Sequence, residues 1–286
     1  MFVTGANGQI GSAIISELDV RGSRFRKGPP LDVIAASHDK LDISSRDDVL
    51  AAITTIEPDI VIHAAAFTAV DRCESEVDLA YSVNAIGTRN VGEAARICDA
   101  HVCYISTDYV FDGTSARPYR EWDTPNPLSV YGMSKLAGEL ELDPSATVVR
   151  TSWVCGRNGS NMVKTILRLK DGEGPLRFVD DQRGSPSIAE DLAPMIVDLA
   201  LSRRPGVHHV TNQGETTWFG FAQAVLSFAG SDPTRVEPIH TGELDPPRPA
   251  PRPANSVLDN QALRLLGVEL LTDWHESTER LVADLL

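Results

Sequence analysis

Short β-branched runs alternate with helical periodicity from the first residues onward, and this alternation limits the possible fold more than any other property of the chain. Phe2-Val3-Thr4 ends a strand, and Ile10, Ala13, Ile14 and Leu18 recur behind it at helical spacing. Residues 32–37 read as a second strand. Val49, Leu50, Ile53 and Ile56 mark a second amphipathic helix that Pro58 closes, and 59–66 (DIVIHAAA) follows as a continuous buried strand. The unit repeats as helix 77–98, strand 102–107, helix 130–142 and strand 147–154. Parallel neighbours need crossover connections, so the pattern predicts an α/β fold, a doubly wound, Rossmann-like parallel sheet over residues 1–153.

Beyond Trp153 the strict alternation decays. Helical periodicity at 161–170, 188–201, 218–228 and 271–285 mixes with short strands near 176–179 and 207–211. This predicts a smaller mixed α/β substrate-binding lobe over 154–286, with 207–211 returning to the first sheet. PPRPAPRP (246–253) reads as a rigid loop rather than a polyproline ligand. A first strand of about three residues is shorter than usual, which leads us to expect a natural start upstream of Met1. The 26 Lys and Arg against 40 Asp and Glu give a net charge of −14, a field that repels nucleic acid and anionic membrane surfaces. No apolar run reaches the ~18 residues of a membrane span, and the glycine loop begins too early for a signal peptide, so the expected location is the cytoplasm. Cys73, Cys98, Cys103 and Cys155 form no CxxC pair and read as thiols inside regular segments, not as a disulfide or zinc framework.

Three places carry chemistry. Thr4-Gly5-Ala6-Asn7-Gly8-Gln9-Ile10-Gly11 joins strand to helix, with glycines spaced to let backbone N–H groups and a helix dipole approach a pyrophosphate. The second-strand tip, Ala36-Ser37-His38, lacks the acid that binds the adenosine ribose of NAD, and with Lys40 nearby it leans towards NADPH, NADH remaining acceptable. Asp42-Ile43 is a candidate for the adenine edge or a cap. Finally, Tyr131 and Lys135 stand four residues apart on one helix face, after the hydroxyl pair Ser106-Thr107 at the carboxyl end of a buried strand. A phenol is a poor acid–base group at neutrality, and a close cation favours its ionised form. Thr107 would hold a carbonyl oxygen while Tyr131 supplies its proton and a dinucleotide supplies hydride. Trp153 reads as core or as a platform, Arg252 as a diphosphate clamp or a solvated charge with Arg183 and Arg248 as runners-up, and Asn84 as a brace of the sheet.

The blocks TGANGQIG, HAAAFTAVDRCESE, SVNAIGT, STDYVFDG, PYREWDTPNPLSVYGMSKLAGE, RTSWV, DDQRGSP and RPANSVLD lie on both lobes. Together the chain resembles the dTDP-4-dehydrorhamnose reductase family, of the extended short-chain dehydrogenase/reductase class. The resemblance implies NAD(P)H-dependent reduction of the 4-keto group of dTDP-4-dehydro-6-deoxy-L-mannose to dTDP-L-rhamnose, with Thr107, Tyr131 and Lys135 as a catalytic triad. It implies that Gly8, Gln9, Ile10, Asp42, Ile43, Ala66, Phe67 and Thr68 border the cofactor. It places Thr68, Val70, Asp71, Thr107, Asp108, Trp153 and the Arg252 loop beside the dTDP-sugar. Two other readings share these blocks: a sister 4-ketoreductase for another dTDP-deoxyhexulose, and a non-catalytic regulatory subunit like the beta subunit of methionine adenosyltransferase. Some relatives bridge subunits through a divalent metal held by a glutamate where this chain has Ala13, so no metal and a monomer are expected.

Overall fold

The structure, a computed structural model, describes residues 1–24 and 32–286. In chain order the elements are β1 (Phe2–Thr4), α1 (Gln9–Arg24), β2 (Ile34–Ala36), α2 (Arg46–Ile56), β3 (Ile60–His63), α3 (Val70–Ser75), α4 (Val77–Tyr81), α5 (Gly87–Ile97) and β4 (His101–Thr107). They continue as α6 (Val130–Leu140), β5 (Thr147–Thr151), β6 (Val154–Cys155), α7 (Met162–Leu169), β7 (Leu176–Val179), β8 (Arg183–Gly184) and β9 (Ser187–Ile188). The last are α8 (Ala189–Leu201), β10 (Gly206–His209), β11 (Thr216–Thr217), α9 (Trp218–Phe228), β12 (Val236–Ile239), α10 (Gln261–Leu265) and α11 (Trp274–Leu285). Six strands form one parallel sheet in the order β2-β1-β3-β4-β5-β10.

Each sheet face is covered by its own helices. On one side Val49 and Ile53 of α2 and Val91 and Ala95 of α5 pack with Phe2, Val61 and Val102. On the other, Ile14 and Leu18 of α1 join Leu192, Ile196 and Ala200 of α8 against Val3, Ile62 and Ile105. The sequence reading put 188–201 in the second lobe, whereas α8 and β10 both belong to the sheet layer. Residues before α8 and after β10 build a separate core that includes Val163, Ile166, Phe221, Val225, Trp274 and Leu281, with three small strand pairs, β6/β9, β7/β12 and β8/β11.

The structure differs from the sequence reading in local detail. The second strand runs only over Ile34–Ala36, and the helix read at 77–98 is broken by a wider π turn at Ser82–Ile86. α3 (Val70–Ser75) has no counterpart in the reading, because its VDRCES segment is too short to show a period. The strand read at 147–154 stops at Thr151, since Trp153 takes a left-handed φ of 45° that breaks the ladder. The proline segment 246–253 carries no regular element. All four cysteines are free.

Two buried histidines make the fold acid-sensitive. His63 bonds Thr4 Oγ1 at 2.7 Å, and His209 Nδ1 lies 3.1 Å from the Tyr119 carbonyl. Burial pushes both imidazoles down to about 3. The unfolded chain therefore takes up protons near pH 6.5 that the folded chain refuses, and each histidine removes up to about 1.4 kcal/mol of stability per pH unit on acidification from there. Asp108, pushed up to about 6 by burial, acts in the opposite sense between its unfolded value near 3.8 and 6. Two groups outweigh one, so the thermal midpoint is expected to fall between pH 7 and pH 5; a constant or rising midpoint in a calorimetric series would refute neutral burial of both rings.

Candidate active site

At the carboxyl edge of the sheet lies a cleft of about 830 Å³. Its floor at one end is the glycine loop. Gly5 has a φ of +66°, and a Cβ there would stand 2.6 Å from the Ala65 amide, while a Cβ on Gly11 would run into the Gly5 carbonyl. These contacts require glycine because the loop presses against the exit of β3 and against itself before α1 begins. Gly5, Gly8, Gln9, Ile10 and Gly11 all line the cleft. The loop is clasped from the second lobe: Asn161 Nδ2 donates to Gln9 Oε1 at 3.0 Å and Asn158 Nδ2 to Ser12 Oγ at 3.0 Å, and Gly159 and Ser160 add to the cleft wall.

At the second-strand tip the cleft is lined by His38, Leu41, Asp42 and Ile43. Ser37 is buried and off the lining, its hydroxyl bonded to Asp39. Asp42 accepts from the Ser44 amide at 2.9 Å and hydroxyl at 2.7 Å, which holds its carboxyl below the usual range. Along β3's exit, Ala66, Phe67, Thr68 and Val70 form the wall, joined by Ala64 and Ala65. Asn84, in the π turn, holds that wall: its Oδ1 accepts from the Phe67 amide at 2.8 Å, and its Nδ2 donates to the Phe67 carbonyl at 3.1 Å and to Ser134 Oγ at 3.0 Å. The expected brace is thus aimed at the cleft wall and α6, not at the sheet.

The reacting end is built from β4 and α6. Ser129 caps α6 by accepting from the Gly132 amide at 3.2 Å. A Cβ at Gly132 would overlap the Tyr109 carbonyl, so the helix seats directly on the turn after β4. Thr107 Oγ1 donates to Asp108 Oδ1 at 3.0 Å and accepts from the Tyr109 amide at 3.2 Å, and both Thr107 and Tyr131 line the cleft. The Tyr131 ring meets Tyr109 edge-on at 5.8 Å. Lys135 is buried, with Nζ donating to the Ile105 carbonyl at 2.7 Å and lying 4.0 Å from the centre of the Tyr104 ring.

The electrostatics differ from the sequence expectation. Burial raises the Tyr131 phenol well above its ordinary value, with the Asp108 charge adding to the rise. Burial lowers Lys135 to about 7. Desolvation outweighs the cation expected to ionise the phenol, and Tyr131 is held as a proton donor.

Trp153 lines the cleft in its strained backbone conformation, stacked on Trp218 with ring centres 3.6 Å apart and planes 5° from parallel. A Cβ on Gly184 would overlap the Trp153 ring, which fixes the indole from behind. Sequence reasoning missed Trp218, because TTWFGFAQAVLSF shows only an apolar helix; its one signal is an indole at the first helical position. Asp71 and Arg252 stand off the lining and pair with each other. Arg252 Nη1 donates to Asp71 Oδ1 at 2.5 Å and to the Ala250 carbonyl at 2.7 Å, and Nη2 donates to Asp71 Oδ2 at 2.8 Å. Arg248 lies 3.6 Å from the same carboxylate, and Arg183 pairs with Glu215. Among the described residues no cluster of three or more His, Cys, Asp or Glu is arranged to hold a metal ion, and no helix is long and apolar enough to cross a membrane.

The family described as RmlD substrate binding domain matches residues 1–286. A dTDP-4-dehydrorhamnose reductase of Streptomyces griseus is 40% identical over 281 residues, 95% of this chain and 89% of its own. A probable dTDP-4,6-dihydroxy-2-methyloxan-3-one 4-ketoreductase of Streptomyces antibioticus is 39% identical over 99% of this chain and 95% of its own. Among solved structures, a dTDP-4-dehydrorhamnose reductase from Bacillus anthracis in complex with NADP superposes with a TM-score of 0.92 at 38% identity, covering 99% of this chain and 98% of that one.

Proposed function

The chain belongs to the RmlD substrate binding domain family, and from that premise we propose that it reduces the 4-keto group of dTDP-4-dehydro-6-deoxy-L-mannose with NADPH, giving dTDP-L-rhamnose. The observation that carries the reading is that Thr107, Tyr131 and Lys135 at the sheet's carboxyl edge line the same cleft as a glycine loop with no room for a side chain at Gly5 or Gly11. That loop fits a dinucleotide: Gly5, Gly8 and Gly11 leave backbone against which a diphosphate can rest. At the second-strand tip His38 lines the cleft, and an imidazole would tolerate a 2′-phosphate there better than a carboxylate would. When bound, the cofactor supplies hydride.

The chain's own residues do the rest. Thr107 and Tyr131 both line the cleft, so a carbonyl oxygen bound between them would receive hydrogen bonds from the two hydroxyls and then the Tyr131 proton. Lys135 supplies a positive charge beside the nascent phenolate. Trp153 and Trp218 offer a flat apolar wall for the sugar nucleotide. NADPH oxidation with the 4-keto sugar nucleotide, with NADH as a parallel, tests the proposal; no consumption of either reductant would reject it.

The Streptomyces antibioticus relative favours one second reading, a 4-ketoreductase acting on another dTDP-deoxyhexulose, which a panel of such substrates separates by kcat/KM. A purely regulatory role sits poorly with a complete Thr107–Tyr131–Lys135 set lining the cleft. We also propose a metal-independent cytoplasmic monomer, since Ala13 is a buried methyl group that cannot ligate a cation. Light scattering is expected to give the same mass with EDTA as with magnesium, and a dimer lost on chelation would overturn that.

A further inference from the structure

An ion pair lies buried beneath β4 that the reaction as described leaves unused. Glu139 stands one helical turn beyond Lys135 on α6, as Lys135 stands one turn beyond Tyr131, so the three share a face. Glu139 Oε1 accepts from Ser106 Oγ at 2.5 Å and from Arg150 Nε at 2.9 Å, and Oε2 accepts from Arg150 Nη2 at 2.6 Å. The Arg150 and Glu139 side chains are only 4% and 5% exposed. A buried pair of this kind is often no more stabilising than apolar residues of the same size, so stability alone is a weak reason for it.

Lys135 is the neighbour that needs an anion. From α6 it faces Tyr131 and Glu139, from β4 the Ile105 carbonyl and the Tyr104 ring, and from β3 His63, which burial keeps neutral. Arg150, on β5, is bound to the carboxylate. Among the described residues, Glu139 is the one charged group that favours the ammonium form of Lys135 against its desolvation.

We propose that Glu139 is a positioning residue for the reduction: clamped between helix and sheet by Ser106 and Arg150, its carboxylate keeps Lys135 charged beneath Tyr131 at neutral pH. The inference rests on the proposed reductase activity, in which Lys135 acts as a cation. With Lys135 already brought to about 7 by burial, a small loss of favourable field changes its charge where the enzyme works.

The test compares wild type, Glu139→Gln and the double variant Glu139→Gln/Arg150→Met in pH profiles of kcat/KM and of NADPH affinity measured by fluorescence titration, with thermal midpoints alongside. The double variant is needed because Glu139→Gln strands a buried guanidinium and is expected to lower stability by itself. Expected is an alkaline limb displaced downward by about one pH unit in both variants, a tenfold loss above it, with the NADPH profile displaced alike and the thermal midpoint recovered in the double variant. A double variant that is stable and keeps the wild-type limb would overturn the proposal, as would a Glu139→Gln enzyme that loses stability without displacement of either profile. A wild type that binds NADPH but reduces no keto sugar would reject the reductase reading instead, and the NADPH profiles would still decide the role of Glu139.

Discussion

Tyr131→Phe is expected to lower kcat by about 10²- to 10⁴-fold, the usual contribution of a positioned acid–base group, and to leave NADPH affinity unchanged. The substitution keeps the ring that packs edge-on against Tyr109, so no cavity opens. It removes one hydroxyl, in the cleft that Thr107 also lines. Because burial holds that hydroxyl protonated, the loss is of a proton already in place, and it should appear in kcat and kcat/KM together, the pattern for an interaction made mainly in the transition state. Single-turnover reduction with NADPH prebound separates the chemical step from product release. Near wild-type turnover in Tyr131→Phe would move the proton donor elsewhere.

Arg252→Ala is the second substitution with a large expected effect, about 10- to 150-fold on the KM for the sugar nucleotide, from the ~1.5–3 kcal/mol of a charge-assisted hydrogen bond. The sequence reading offered Arg252 as a diphosphate clamp or a solvated charge; the structure pairs it with Asp71 and sets it beside Tyr109, so it fastens the proline-rich loop to α3 next to the wall formed by Thr68 and Val70. Lysine cannot reproduce the two-pronged contact, so Arg252→Lys is expected to share most of the defect. Asp71→Asn should also raise the sugar-nucleotide KM, and the double variant should be no worse than Arg252→Ala alone, because both changes cut one connection. NADPH affinity should stay put, since neither residue belongs to the glycine loop proposed for its diphosphate. An unchanged KM in Arg252→Ala would leave the pair as a surface contact.

What the sequence disclosed follows period and spacing. β1, β3, β4 and β5 were legible because buried parallel strands read as apolar runs, and the glycine loop and the Tyr131/Lys135 pair because their spacings are tied to backbone geometry. Burial and pairing were not legible. A one-dimensional view puts Lys135 near Tyr131 and infers an ionised phenol; only the packing shows that Lys135 is buried, with its ammonium turned to the Ile105 carbonyl, and that desolvation raises the phenol. Asp71 and Arg252, 181 positions apart, pair through a contact that no local pattern announces. Trp218 hid in an apolar helix, and Ser37, chosen for its place at a strand tip, turns to Asp39 instead.

The late arrival of α8 and β10 in the parallel sheet has a consequence for biosynthesis. A ribosome releases the first five sheet strands, ending at Thr151, well before it has made Leu192 and Ile196. Until then the nascent chain holds its α2–α5 side covered while Ile14, Leu18, Val3 and Ile62 lack the helix that shields them. Domains generally fold as units when their amino-terminal parts emerge first, but here the amino-terminal unit is completed by residues 189–209, with the excursion through β6 to β9 emerging in between. The nucleotide-binding half is therefore no independent foldon during translation, and the interval between the appearance of Thr151 and that of His209 is when an emerging polypeptide of this kind has most need of a chaperone.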